Sequence, residues 1–279
     1  MLKKIGKASF SIFLLLFSFY YTKVAVDIVK QNNPIMKTIQ EEKDKYEVKA
    51  VNATIEEDTI IPGISGQKVE VDKSFNTMVR YGEYKDSLYT FEEETPVISL
   101  EDNFDKYIIG GRTDSTKVSL VFTVKREEDI LDLLTILSEN KVQATFFIDG
   151  LFIENNTGFI KNMLEEGYEV ELLNYNGTYK ELHFKSALEI LNNLKEEESK
   201  FCLSEYKRYQ ILNICKKLKL HTVIPNVNAK NKPYTNVKNN LGGGSIIRMG
   251  NNITELEPTI HYIRQRGYEI VKLEELLSE

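Results

Sequence analysis

The chain has 279 residues, 42% hydrophobic and 28% charged, which suits one large folded domain or two unequal ones. Its formal net charge of −6 argues against non-specific binding to nucleic acid or to an anionic lipid surface. No repeat at solenoid spacing and no low-complexity linker interrupts it.

The opening MLKKIGK places Lys3, Lys4 and Lys7 ahead of the apolar run ASFSIFLLLFSFYY, residues 8–21. A basic stretch followed by an apolar one has the form of a secretion signal, cleaved or retained. The run is shorter than the roughly 20 apolar residues of a spanning helix. TKVAVDIV extends it, with Lys23 able to snorkel and Tyr20 and Tyr21 suited to the interface. No A-x-A-like cleavage site follows. Residues 1–29 are therefore expected to form a retained signal-anchor, a single transmembrane helix, with a cleaved leader as the alternative. The basic flank predicts a cytoplasmic N-terminus and a C-terminal domain outside the cell membrane. Residues 30–58 are polar with little periodicity and predict a stalk. At TIIPGISGQKVEVDKSF turn formers appear, and Val69 and Val71 alternate with Glu70 and Asp72 as in a half-buried strand. Residues 59–112 are read as a small α+β accessory unit, and its Tyr and Phe side chains at 73–91 form its core or, as the alternative, line a sugar-binding face.

From residue 113 to 279 strands and helices alternate. VSLVFTV reads as a buried strand, and DILDLLTILSEN places Ile130, Leu133, Leu134 and Leu137 on one helical face. VQATFFIDG is a second strand, FIKNMLEEG a helix closed by Gly167, and YEVELLNY a third strand. A helix carrying Leu188, Leu191 and Leu194 follows, then YQILNICKKLKL as a helix. HTVIPNV and GGSIIRMG read as strands, TELEPTIHYIRQRG as a helix and YEIVKL as a strand. Continuous apolar strands in βα units predict an α/β fold with a parallel sheet. Without a GxGxxG loop, a closed or nearly closed barrel fits better than a dinucleotide-binding sheet. Cys202 and Cys215 define no disulfide framework. If their segment is helical, a spacing of 13 separates them by several turns, and both read as small apolar fillers.

These residues resemble the polysaccharide deacetylase family, whose NodB-like domain is a distorted (β/α) barrel. KVQATFFIDG, 141–150, is similar to that family's N-V-K-A-T-F-F-V-x-G strand, at a matching distance from VSLVFTV. GYEVELLNYNG is similar to G-H-E-I-G-N-H-T-x-x-H. GGGSIIRMGNN with PTIHYIRQRGYEIVKLEELL is similar to G-S-I-I-L-L-H-D followed by G-Y-x-F-V-x-L-x-E-L. The resemblance covers about residues 117–279 in order, and IPGISGQKV is similar to a region preceding this domain in some membrane-anchored members.

The resemblance implies metal-assisted amide hydrolysis. A divalent metal, commonly zinc, held by one Asp and two His, polarises the acetyl carbonyl and activates a water. A second Asp takes the water's proton and a further His protonates the departing amine. Carried over residue by residue, the T-F-D-D motif puts the base at Thr123 and the metal-binding Asp at Val124. The two metal histidines fall on Leu173 and Gly177, the Arg of R-P-P-Y-G near Cys202, and the general-acid His on Gly250. None of these side chains performs the family's role, so no catalytic residue, metal ligand or cofactor is expected.

The other candidates are weaker. His183, His221 and His261 read as surface or interface residues. Asp149, Glu169 and Glu171 lie near strand ends, while Glu127, Glu128 and Asp129 suit the acidic first turn of a helix. Carboxylates alone suit Ca²⁺ or Mg²⁺ better than zinc. Asp149, Glu171, Asn174 and Tyr175 are the candidate binding groove. GGG at 242–244 reads as a loop before a strand, and no G-x-S-x-G, Walker, C-x-x-C or H-E-x-x-H motif occurs. The expected protein is a degenerate, membrane-anchored member that binds a cell-wall glycan, a peptidoglycan-like polymer, or an envelope protein partner. One alternative is an active hydrolase using zinc or another divalent metal at a rearranged site. Another is a scaffold for an active deacetylase.

Overall fold

A computed structural model of the chain describes residues 2–126, 130–250 and 253–279, and within them every side chain except those of residues 2–13 and 15. In chain order the first elements are α1 (Leu2–Asn32), α2 (Pro34–Glu42), β1 (Thr54–Glu56), β2 (Thr59–Ile61), β3 (Gly66–Val69), α3 (Val71–Tyr81), β4 (Phe91–Glu94) and β5 (Tyr107–Ile108). Then come β6 (Lys117–Val124), α4 (Leu131–Glu139), β7 (Thr145–Ile148), α5 (Gly150–Asn155), α6 (Thr157–Glu165), β8 (Glu169–Leu172), α7 (Glu181–Asn192) and β9 (Phe201–Leu203). The chain ends with α8 (Tyr209–Lys217), β10 (His221–Val223), β11 (Val227–Ala229), α9 (Pro233–Asn240), β12 (Ile246–Met249), α10 (Leu256–Gln265), β13 (Glu269–Val271) and α11 (Leu273–Leu277). They divide into two units, residues 1–50 with 65–94, and residues 51–64 with 95–279.

In the first unit the expected stalk is partly core. The Asn33 side chain accepts from the Ile35 N–H and Pro34 opens α2, a start signal that fixes the helix. Met36 and Ile39 on its inner face are buried with Val69, Phe75, Met78 and Tyr89. β3 and β4 pair antiparallel. The strand expected through Asp72 stops at Val69; Val71 opens α3 instead, with Asp72 in the first turn, where the helix dipole favours an acid. Residues 51–64 and 95–112 group with the second unit, across the ranges 30–58 and 59–112 read from the sequence. Helix α1 carries exposed apolar side chains such as Leu16, Phe19 and Val29. Among the described residues no helix is long and apolar enough to cross a membrane. Lys23 and Asp27 interrupt α1, and within the apolar run 8–21 the side chains of residues 8–13 and 15 are not among those described.

The second unit is built on one sheet in the order β1-β2-β5-β10-β9-β8-β7-β6-β12-β11, with β13 alongside β6. From β5 through β11 the pairings are parallel, as right-handed βα crossovers demand. No pair joins β1 to β11 among the described residues, so the sheet is a curled, open half-barrel and not a closed barrel. Strand phase sorts the side chains into two cores. Leu120, Phe122, Val124, Phe146, Ile148, Val170 and Leu172 face the helices, where they meet Ile130, Leu133, Leu137, Ile160 and Leu191. Val121, Phe147, Leu173, Leu203 and Ile246 face the concave interior. Each such Leu, Ile or Phe contributes roughly 1.5–3 kcal/mol by leaving water.

Helix α11 closes the end of the half-barrel where the strands begin. Leu273, Leu276 and Leu277 enter the interior core. The Leu273 N–H donates to Thr145 Oγ1 at 2.8 Å, and the Glu274 N–H donates to Glu169 Oε2 at 3.2 Å. Chemistry is thereby confined to the other end, where the strands finish. One further expectation is corrected. FCL forms strand β9, not a helix, and α8 packs behind it, so Cys202 and Cys215 come to a Cα separation of 6.5 Å and form a disulfide.

Candidate functional site

The open end is formed by the C-terminal ends of β6, β7, β8, β9 and β12, and the alternation of each strand decides what it delivers there. On β6, Thr123 faces the interior and is half-buried, whereas Val124 turns toward the helices and is 1% exposed. Leu173 lies in the interior apolar core. Cys202 points to the helix side, joined to Cys215. Gly250 is held against the neighbouring loop, so that a Cβ there would lie 2.3 Å from the Lys230 carbonyl oxygen. No histidine fits at that position without displacing backbone. The positions equated with the family's catalytic set therefore do not converge; they split between the two faces of the sheet and a tight loop.

Three of the four groove candidates do come together. Asp149 is the N-cap of α5, and its Oδ1 accepts from the Leu151 N–H at 3.0 Å. The same carboxylate also accepts from the Asn176 N–H (Oδ1, 3.1 Å) and the Gly177 N–H (Oδ2, 3.1 Å). It thus clamps the turn at residues 174–178 to the start of α5. Gly177 adopts φ +70°, a left-handed conformation that favours glycine, and its N–H is shared with Asn174 Oδ1 at 3.2 Å. The Tyr175 hydroxyl donates to Glu154 Oε2 at 2.9 Å, an acceptor that holds the phenol above its ordinary pKa. Its ring lies 5.0 Å from that of His183. Beside the clamp is an open groove of about 760 Å³ lined by Lys125, Arg126, Asp149, Phe152, Asn156 and Asn176.

Glu171 is not part of this groove. It faces the interior from β8, where Lys195 Nζ donates to its Oε1 at 3.0 Å and the Lys200 and Phe201 N–H groups approach it. Burial pushes its carboxyl up to about 7, against the pull of Lys195. Glu169 opens β8, capping α11 and hydrogen-bonded by Thr145. Among the histidines, His221 is buried, stacked on Phe104 at 4.3 Å, and burial lowers it to about 4; it is not a surface residue. Glu127, Glu128 and Asp129 lie outside the described residues.

The residues that sequence reasoning passed over are Arg248 and Glu205. Arg248 is the one charge in the strand run SIIRM, and it faces inward beside Ile246. Its Nη2 donates to Glu205 Oε1 at 2.6 Å across the mouth. Tyr179 stands close by, raised in pKa chiefly by burial and eased by a bond from Asn174. A charge inside an apolar strand was the signal available for Arg248.

This set does not fit a divalent metal. Thr123, Val124, Leu173 and Gly177 offer no carboxylate or imidazole, Asp149 is occupied by three N–H donors, and Arg248 adds positive charge. Among the described residues no three His, Cys, Asp or Glu side chains are grouped to hold a metal ion.

Comparison with known proteins bears on the fold and the family. A polysaccharide deacetylase family model matches residues 110–223. The chain is 25% identical over 279 residues to the uncharacterized protein YlxY of Bacillus subtilis, covering 92% of this chain and 88% of that protein. It is 27% identical over 167 residues to the peptidoglycan-N-acetylglucosamine deacetylase PgdA of Listeria monocytogenes, which is 53% of this chain but 35% of that protein. A CE4 family pseudoenzyme from Bacillus anthracis shares the fold with a TM-score of 0.66 at 21% identity, over 89% of this chain and 96% of its own. A mutant of that pseudoenzyme, described as having restored enzymatic activity, matches with the same TM-score over 88% and 99%. The match over residues 110–223, together with these fold neighbours, supports reading this part of the chain as a divergent polysaccharide deacetylase-like domain.

Proposed function

We propose that the chain is a catalytically degenerate deacetylase, a pseudoenzyme whose half-barrel serves to bind a peptidoglycan-like glycan in the cell envelope. The observation that carries this reading is the makeup of the strand ends. At the positions equated with base, metal ligands and acid stand Thr123, Val124, Leu173, Gly177 and Gly250, and Arg248 directs a cation into the mouth. The described residues there offer neither a ligand set for a metal that would acidify a hydrolytic water nor a free carboxylate to take its proton. The scaffold beneath is complete, and a fold neighbour is itself described as a pseudoenzyme. The glycan is inferred from PgdA, named for peptidoglycan N-acetylglucosamine. Attachment to the cell membrane through residues 1–29, with the folded units outside, is supported by the lysines ahead of the apolar run 8–21.

Co-sedimentation of the purified full chain with insoluble peptidoglycan tests the binding. Saturable pelleting, competed by soluble N-acetylglucosamine oligomers, is expected. A chain that is folded by circular dichroism yet stays in the supernatant would overturn the reading.

A further inference from the structure

We infer that the open end of the half-barrel holds an oxyanion site centred on Arg248, and that its ligand is a carboxylate borne by the glycan; this rests on the glycan-binding reading above. β12 enters the sheet as an apolar strand between β6 and β11, and three of its residues bury aliphatic side chains. Arg248 is the exception. It is 7% exposed, and its guanidinium is aimed into the concave face, above a floor made by Val121, Leu173 and Leu203.

The bond from Arg248 to Glu205 shows how far that guanidinium reaches. Glu205 follows β9, and β12 stands four strands from β9 along the sheet. Four inter-strand steps amount to about 19 Å of sheet. The two side chains nevertheless meet at 2.6 Å, so they meet across the mouth and not along its rim.

Two features make this a receptor for an anion and not merely a closed ion pair. The first is an unused donor: Arg248 Nε is buried and has no hydrogen-bond partner among the described residues. A buried polar N–H without a partner costs about 1–3 kcal/mol, so it is seldom left without a purpose. The second is excess positive charge. Glu205 sits in the field of Arg248, Lys230 and Arg208, which together draw its carboxyl below the usual range. Arg248 is the cation bonded to that carboxylate, and Lys230 and Arg208 add to the positive field around it, in a protein whose formal net charge is −6.

A guanidinium offers its Nε and one Nη as a parallel pair of donors, the fork that matches a carboxylate. In the free protein Glu205 takes one arm of that fork with a side chain that is 59% exposed. It acts as a stand-in that a ligand carboxylate displaces, taking Nε and Nη2 together. Tyr179, whose hydroxyl donates to the Leu203 carbonyl oxygen at 3.5 Å, and Asn174 supply neutral hydrogen-bonding groups that a sugar ring needs.

Calorimetric titration of the full chain with two oligosaccharides tests this. One is an N-acetylglucosamine–N-acetylmuramic acid oligomer as the free acid; the other is its methyl ester, uncharged and larger by one methyl group. The acid is expected to bind at least about tenfold more tightly than the ester. Arg248→Lys, which keeps the charge but lacks the fork, should reduce that preference to below about threefold. Glu205→Gln, which removes the competing carboxylate, should increase acid binding. Equal affinity for acid and ester, or a preference unchanged by Arg248→Lys in a folded variant, would overturn the carboxylate site and leave glycan binding intact. Failure of both oligomers to bind would overturn the glycan-binding reading as well.

Discussion

Replacing Asp149 by alanine removes the acceptor of three backbone N–H groups at once, those of Leu151, Asn176 and Gly177. Loss of the helix cap alone costs about 1 kcal/mol. Hydrogen bonds to a charged acceptor contribute about 1.5–3 kcal/mol each, and the three share one carboxylate, so they do not sum fully. The expected loss is about 3–5 kcal/mol for Asp149→Ala. Asp149→Asn keeps one amide oxygen as acceptor but loses the Gly177 bond, and should cost about 1–2 kcal/mol. Urea unfolding of the full chain measures both. Amide exchange adds a local readout, since Asn176 and Gly177 should lose protection in the alanine variant before the β7 and β8 amides do. An Asp149→Ala protein within about 1 kcal/mol of the parent, with Asn176 and Gly177 still protected, would refute the clamp and return Asp149 to the list of free carboxylates.

Glu171 and His221 pull stability in opposite directions with pH. Burial raises Glu171 to about 7, so its contribution is full below about 4.5 and is lost as pH rises toward 7. Burial lowers His221 to about 4, so its contribution is present above about 6.5 and is lost as pH falls toward 4. Glu171→Gln should therefore make stability climb between pH 4.5 and 6.5 by up to about 3 kcal/mol more than in the parent, and parallel urea-midpoint profiles would contradict this. Val124→Asp, the simplest reversion toward the family motif, places a carboxylate in the dry helix-side core. It should cost at least about 3 kcal/mol and yield no activity; an unchanged melting temperature would show that Val124 is not buried as described. Reduction of the Cys202–Cys215 disulfide, which closes a loop of sequence separation 13, should lower stability by about 3 kcal/mol in urea, and identical curves with and without reductant would exclude the pairing.

What the sequence disclosed, it disclosed through periodicity. β6 and β7 are nearly continuous apolar runs, β8 alternates Val170 and Leu172 with Glu169 and Glu171, and α4, α6 and α7 carry leucines and isoleucines at helical spacing, so their order and parallel pairing were legible. β9 was not, because Phe201, Cys202 and Leu203 stand alone between charged stretches and three residues set no period. Missing that strand separated Cys202 from Cys215. The fate of each carboxylate was also hidden. Glu171 and Asp149 both lie near strand ends in sequence, but Lys195, 24 residues on, draws one into an ion pair. An N-Y-N-G turn, 27 to 28 residues on, engages the other. Arg248 was visible as a charge in an apolar strand, yet its partner depends on how far the sheet curls, which no local pattern encodes.

Acetate release tests the central claim most directly. The purified full chain would be supplied with peptidoglycan and with N-acetylglucosamine oligomers, in the presence of zinc, manganese or cobalt, beside an active family member. The account predicts release no greater than the blank for every metal, from a chain that still binds the polymer. Metal-dependent release that a chelator abolishes would contradict it, and would mean that carboxylates assigned here to clamps and ion pairs are free to hold a metal.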